Sequence, residues 1–178
     1  MTLQYCIRMS SQARFLKTAL LTTIGLFPAW YFMQATHEVG HLLAGWFSTK
    51  HKVTGFAIPL LGFSSTTMSV YPRPAWVVWA GFVTGVLIPL AVWILARLLR
   101  CQAEGALRYF AGFCLLANGA YLGLGWVERV GDLDELMLHG TPTWVFIIMG
   151  LAMALAGRWL WTLNTPSTRP PASDSASR

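Results

Sequence analysis

Apolar positions in this chain fall in long, nearly unbroken runs rather than at the spacing of an amphipathic soluble helix. Across residues 15–47 the only basic, acidic or imidazole side chains are Lys17 near the start and His37, Glu38 and His41 near the end. As one helix this run would measure about 50 Å, more than the hydrocarbon core of a bilayer, so it must tilt, kink or protrude. Pro28, with no amide donor, marks the expected kink. Residues 75–96 and 109–127 are further runs without a charge, and 143–163 is a fourth. Its one charge, Arg158, lies close enough to the C-terminal end to reach the headgroups. The pattern predicts an all-α polytopic membrane protein of about four transmembrane helices. Residues 50–74 interrupt it: alternation over 53–58, a Pro/Gly break, then a polar run over 64–71 predict a short β-hairpin or re-entrant loop after the first helix.

This reading divides the chain into an N-terminal segment, 1–14, a membrane-embedded domain, 15–163, and a Pro/Ser-rich tail, 164–178, expected to be disordered. The first apolar run continues well past the length of a signal peptide without an obvious small-x-small cleavage site, which favours an uncleaved span. Composition agrees. Of 178 residues, 55% are hydrophobic and 11% charged, where a soluble domain carries about 25% charged residues; the mean hydropathy is +0.52.

A net charge of +6 would suggest nucleic acid if it were clustered, but the basic residues are scattered near the ends of apolar runs, so no nucleic-acid partner is expected. With four crossings, nine of them share the side of the chain ends: Arg8, Arg14, Lys17, Arg97, Arg100, Arg108, Arg158, Arg169 and Arg178. The other side has four, Lys50, Lys52, Arg73 and Arg129. Positive-inside bias therefore puts both termini in the cytoplasm of a multi-pass membrane protein. Cys6, Cys101 and Cys114 form no CxxC pair and suggest neither a disulfide framework nor a thiol redox site.

The chemistry lies in His37-Glu38-Val39-Gly40-His41. On a helix, residues four apart sit about 40° from each other, so both imidazoles face one point and can each give a nitrogen to one Zn²⁺. Glu38, about 100° from His37, stands beside the metal and suits a base that takes a proton from the attacking water. Gly40 allows another backbone to come close. An ionisable triplet inside an apolar segment costs several kcal/mol unless paired or metallated, which makes it a functional-site candidate. An open catalytic zinc site needs a third protein ligand. The candidates are Glu128, Asp132, Asp134, Glu135 and His139 in the loop between the third and fourth spans, and His51 after the first. Two crossings return the chain to the side of His41, so that loop can reach the metal.

HEVGH at the end of an early apolar run, a Gly-containing hairpin with GFSSTTMSVYPRP, an AGFVTG span, and VGDLDEL followed by HGTP together resemble the site-2-protease group of intramembrane zinc metallopeptidases, particularly its small bacterial members. The likeness spans roughly residues 35–142. It implies a zinc metallopeptidase domain over 15–163, with His37, His41 and Asp132 as metal ligands and Glu38 as the catalytic base. It also implies a bacterial inner membrane as the location and a transmembrane or membrane-proximal protein substrate in the lipid bilayer as the partner. The order here is Gly131-Asp132 where the family has Asp-Gly, which leaves Asp134 open as the alternative ligand. Asn118 stands apart from that motif; it is either a substrate or oxyanion contact or a helix-to-helix hydrogen bond. The hairpin offers an edge on which an extended substrate can pair, and the Ser/Thr run over 64–69 can line a water path. Rival readings are a non-catalytic zinc-binding scaffold and a divalent-metal transporter. The first leaves Glu38 without a purpose, and the second is disfavoured by the lack of ionisable residues in the second and third spans.

Overall fold

A computed structural model describes residues 2–48, 52–59, 62–129 and 131–163. His51 and the tail expected to be disordered, 164–178, lie outside the described residues. The chain is mostly helical with one two-stranded sheet, in the order α1 (Thr2–Phe47), β1 (Val53–Ala57), β2 (Ser65–Met68), α2 (Ala75–Leu98), α3 (Glu104–Leu124), α4 (Asp132–Leu138) and α5 (Thr143–Thr162). Helix α1 includes both the first apolar run and the segment before it, and it continues through Pro28 as one helix. Pro74 and Pro142 sit immediately before α2 and α5, where a fixed φ and a missing amide cost a helix nothing. The interrupted stretch after α1 is a β-hairpin. β1 and β2 pair antiparallel, with Phe56 opposite Thr66 and an irregularity between Val53 and Gly55.

Helix α2 packs between α1 and α3, and α3 packs on α5. Small residues set these distances. A Cβ added to Gly119 of α3 would lie 2.7 Å from the carbonyl oxygen of Gly150 on α5, and one added to Gly112 would lie 3.1 Å from that of Gly157. Residues seven apart on each helix thus meet in reverse order, so the two helices run antiparallel at backbone contact. Where α2, α3, α4 and α5 converge, Val78, Phe82, Leu122, Leu133, Leu136 and Phe146 form a fully buried core beside the site described below.

Among the described residues two helices, α2 and α5, are long and apolar enough to cross a membrane. On α5, Trp144, Ile147, Ile148, Leu151, Leu155 and Trp159 are all exposed. They recur at helical spacing along one face, a continuous apolar stripe that water would penalise. The third expected span corresponds to α3, and the loop after it contains the short helix α4, which the apolar pattern alone did not separate from its surroundings.

Because the α3–α5 contact leaves no room for a side chain at Gly119, Gly119→Leu is expected to separate the helices and destabilise the fold by about 2 kcal/mol or more. Thermal unfolding of the detergent-purified variant beside the wild type measures this.

Candidate metal centre

Two segments distant in sequence meet at one buried point. From α1 come His37, Glu38 and His41, and from α4 comes Asp132; all four are buried. Their approach depends on glycines. Gly40 lets the α2 backbone in, since a Cβ there would lie 2.2 Å from the carbonyl oxygen of Ala80. Gly81 does the same from the facing side, where a Cβ would stand 2.5 Å from Cε1 and Nε2 of His41 and 2.7 Å from Nε2 of His37. Asp132 is delivered by Gly131, whose φ of 56° and ψ of −129° belong to backbone that only glycine adopts readily. The Tyr121 hydroxyl accepts the Asp132 backbone amide at 3.2 Å.

The imidazoles are oriented from behind. Nδ1 of His41 donates to the Val77 carbonyl at 2.9 Å. Nδ1 of His37 donates to Oδ1 of Asn118 at 3.3 Å, and the Asn118 amide is itself fixed by donating to the Cys114 carbonyl at 2.9 Å. Asn118 therefore acts between helices, holding a histidine ring. With both protons on Nδ1, each Nε2 presents a lone pair. The two Nε2 atoms are 3.2 Å apart, and Oδ2 of Asp132 lies 2.7 Å from one and 3.1 Å from the other. In that tautomer three acceptor atoms converge on a single point, which a metal ion or a proton on one imidazole can bridge.

A tetrahedral metal with bonds near 2.0–2.1 Å holds its ligand atoms about 3.3–3.4 Å apart, so an ion fits once Asp132 and His37 separate by roughly 0.7 Å and the other pairs by less. The charges fit as well. Glu38, Asp132 and Glu135 outnumber Arg73 among the buried ionic groups here by two negative charges, with the imidazoles neutral. An imidazole proton can also fill the gap. In that state burial works against the Asp132 carboxylate, but the hydrogen bonds from His37 and His41 hold its pKa well below the ordinary range.

Ligand atoms of His37, Glu38 and His41 all lie within 4.8 Å of one another, so this group can hold a metal ion. The two carboxylates nevertheless occupy different positions. Asp132 touches both imidazoles, whereas Glu38 is engaged by the hairpin: the Ser64 hydroxyl donates to its Oε1 at 2.7 Å and the Thr66 hydroxyl donates to its Oε2. Each Glu38 oxygen keeps a further lone pair. A cavity of about 430 Å³ adjoins the cluster, lined by His37, Glu38, Ser64, Thr66, Tyr121 and Asp132 among others.

Of the other third-ligand candidates, Asp134 is half-buried and makes no contact with the histidines among the described residues, and Glu128 is exposed. His139 donates to the Arg73 carbonyl at 2.6 Å, and Glu135 pairs with the Arg73 guanidinium at 2.8 Å. Sequence reasoning treated Arg73 only as a loop charge, but it is buried at the centre of this network. Burial opposes its charge, yet Glu135 and Asp132 raise its pKa above the ordinary arginine value. The available signal was a lone arginine between two prolines opposite the cluster of acids at 132–135.

No protein-family model, curated protein or solved structure matches the chain. The functional reading therefore rests on the geometry and chemistry of these residues.

Gly81→Ala should push a methyl group into both imidazoles and lower metal affinity by about tenfold or more, the scale on which displaced ligand support acts. Competition with a chromophoric chelator reads this directly.

Proposed function

We propose that this protein is an integral-membrane zinc metallopeptidase that hydrolyses peptide bonds within or near the bilayer. The observation that carries the reading is the convergence of His37 Nε2, His41 Nε2 and Asp132 Oδ2, with a second carboxylate beside them, that of Glu38, whose hydrogen bonds go to the hairpin hydroxyls. Two neutral imidazoles and one carboxylate oxygen suit zinc and leave a tetrahedral ion one open position. When bound there, zinc supplies Lewis acidity that acidifies a water and polarises a peptide carbonyl. A structural site is instead closed by four protein ligands and has no use for a base alongside.

Glu38 is the general base in this proposal. The Ser64 and Thr66 hydroxyls fix its carboxylate in place, and a free lone pair takes the proton from the attacking water. The same oxygen then returns that proton to the leaving nitrogen. Asp132 and the two histidines hold the metal, while Asn118 and the Val77 carbonyl keep the rings aligned. The substrate is a transmembrane or membrane-proximal polypeptide, locally extended because a helix hides its carbonyls in hydrogen bonds. The adjoining cavity of about 430 Å³ and the β2 strand along it give such a segment somewhere to lie.

The apolar stripe on α5 and the two helices fit to cross a membrane support a bilayer location. We extend this to four crossings by α1, α2, α3 and α5, with both termini cytoplasmic. Reporter fusions at Lys52 and at the C-terminus should then report opposite sides of the membrane. Same-side reporters would remove the four-crossing arrangement.

The enzymatic reading is tested by purified protein reconstituted with a single-span substrate. Wild type should carry one zinc per chain, and the double variant His37→Ala/His41→Ala none. Glu38→Gln keeps volume and hydrogen bonding but cannot accept the proton, so zinc should remain while turnover falls by about 10² or more. Equal cleavage by wild type and Glu38→Gln at equal zinc content would overturn the mechanism.

A further inference from the structure

The two oxygens of Asp132 have separate partners. Oδ2 faces the histidine pair, while Oδ1 accepts from the Arg73 guanidinium at 2.6 Å. Arg73 is anchored for that task. Its backbone amide donates to Oε2 of Glu135 at 2.8 Å, its Nε to the same carboxylate at 3.0 Å, and the nitrogen that reaches Asp132 also reaches Oε1 of Glu135 at 2.8 Å. Its remaining terminal nitrogen donates to the carbonyl of Thr66 at 3.4 Å. That is the residue whose hydroxyl bonds Glu38.

A carboxylate with both oxygens free can swing to grip a metal through both, which adds a fourth protein donor atom, crowds the position a reactant needs and makes an ion that keeps its water five-coordinate. We infer that Arg73 is a positioning residue that fixes Asp132 as a one-oxygen ligand and so keeps the fourth coordination position open. This inference rests on the metallopeptidase reading above. The planar guanidinium is what the task requires: it spans the Asp132 and Glu135 carboxylates and the Thr66 carbonyl at once. An ammonium group is a single point charge and cannot satisfy all three in this geometry. Through Thr66, the same side chain also ties the strand that holds Glu38 to the helix that holds Asp132.

The test uses full-length protein in detergent, stripped of metal and loaded with Co²⁺, whose visible absorption is intense when four-coordinate and weak when more highly coordinated. Two variants are compared with wild type. Arg73→Lys keeps the charge without the fork. The double variant Arg73→Met/Glu135→Met removes the buried pair without leaving Glu135 as an unpaired charge, so it remains informative if the lysine variant fails to fold. Each folded variant should bind one cobalt per chain with visible absorbance per ion lowered by about threefold, as the second Asp132 oxygen enters the coordination sphere. A spectrum identical to wild type would overturn the inference. Loss of cobalt binding in a variant that is folded by circular dichroism would also overturn it, as would failure of both variants to fold, since Arg73 would then be needed for binding or for the fold rather than for the coordination mode. Wild type that binds no cobalt would instead sink the metal reading itself.

Discussion

Mutual repulsion among three lone pairs sets the terms for the rest of this structure. Nε2 of His37, Nε2 of His41 and Oδ2 of Asp132 stand 2.7–3.2 Å apart in a buried setting. In water such groups would turn away from one another. Here the Val77 carbonyl and the Asn118 amide hold the rings from behind, and Arg73 holds the far oxygen of Asp132. Acceptors brought this close are stabilised by a proton or a metal ion between them, and the surplus of negative charge around the cluster suits a divalent cation.

The helix packing serves this convergence. Gly40 and Gly81 bring α1 and α2 so close that the α2 backbone forms one wall of the site. Glycine contacts between α3 and α5 fix the helix that carries Asn118. The buried core of Phe82, Leu122, Leu133 and Leu136 then ties α4 to α2 and α3, which places Asp132. Polar residues lie at the site and apolar ones face outward along α5, an arrangement that suits a lipid solvent.

The hairpin adds a second set of polar contacts beside the histidine pair. Its Ser64 and Thr66 hydroxyls hold Glu38 off the histidines, and Arg73, just past its end, links it to α4. One short segment thus gives two carboxylates different surroundings, Asp132 facing the imidazoles and Glu38 facing the hairpin hydroxyls. Separating two chemically similar groups by their hydrogen-bond partners is a common way to give them different roles.

Much of this was determined by local pattern. Runs of apolar residues gave the four long helices to within a few residues at most ends, because helix length and hydropathy are properties of contiguous sequence. Periodicity likewise put His37 and His41 on one face, since residues four apart must share it on any helix. Alternation and a Pro/Gly break located the hairpin. Only the tertiary structure decided which acid meets the histidines: Asp132 and Asp134 are both in the first turn of α4, and the choice depends on the direction in which Gly131 starts that helix. It also decided the parts taken by Arg73, Glu135 and Ser64. Their partners lie 62 residues away for the first two and 26 for the third, and no local periodicity reports a contact made across the fold.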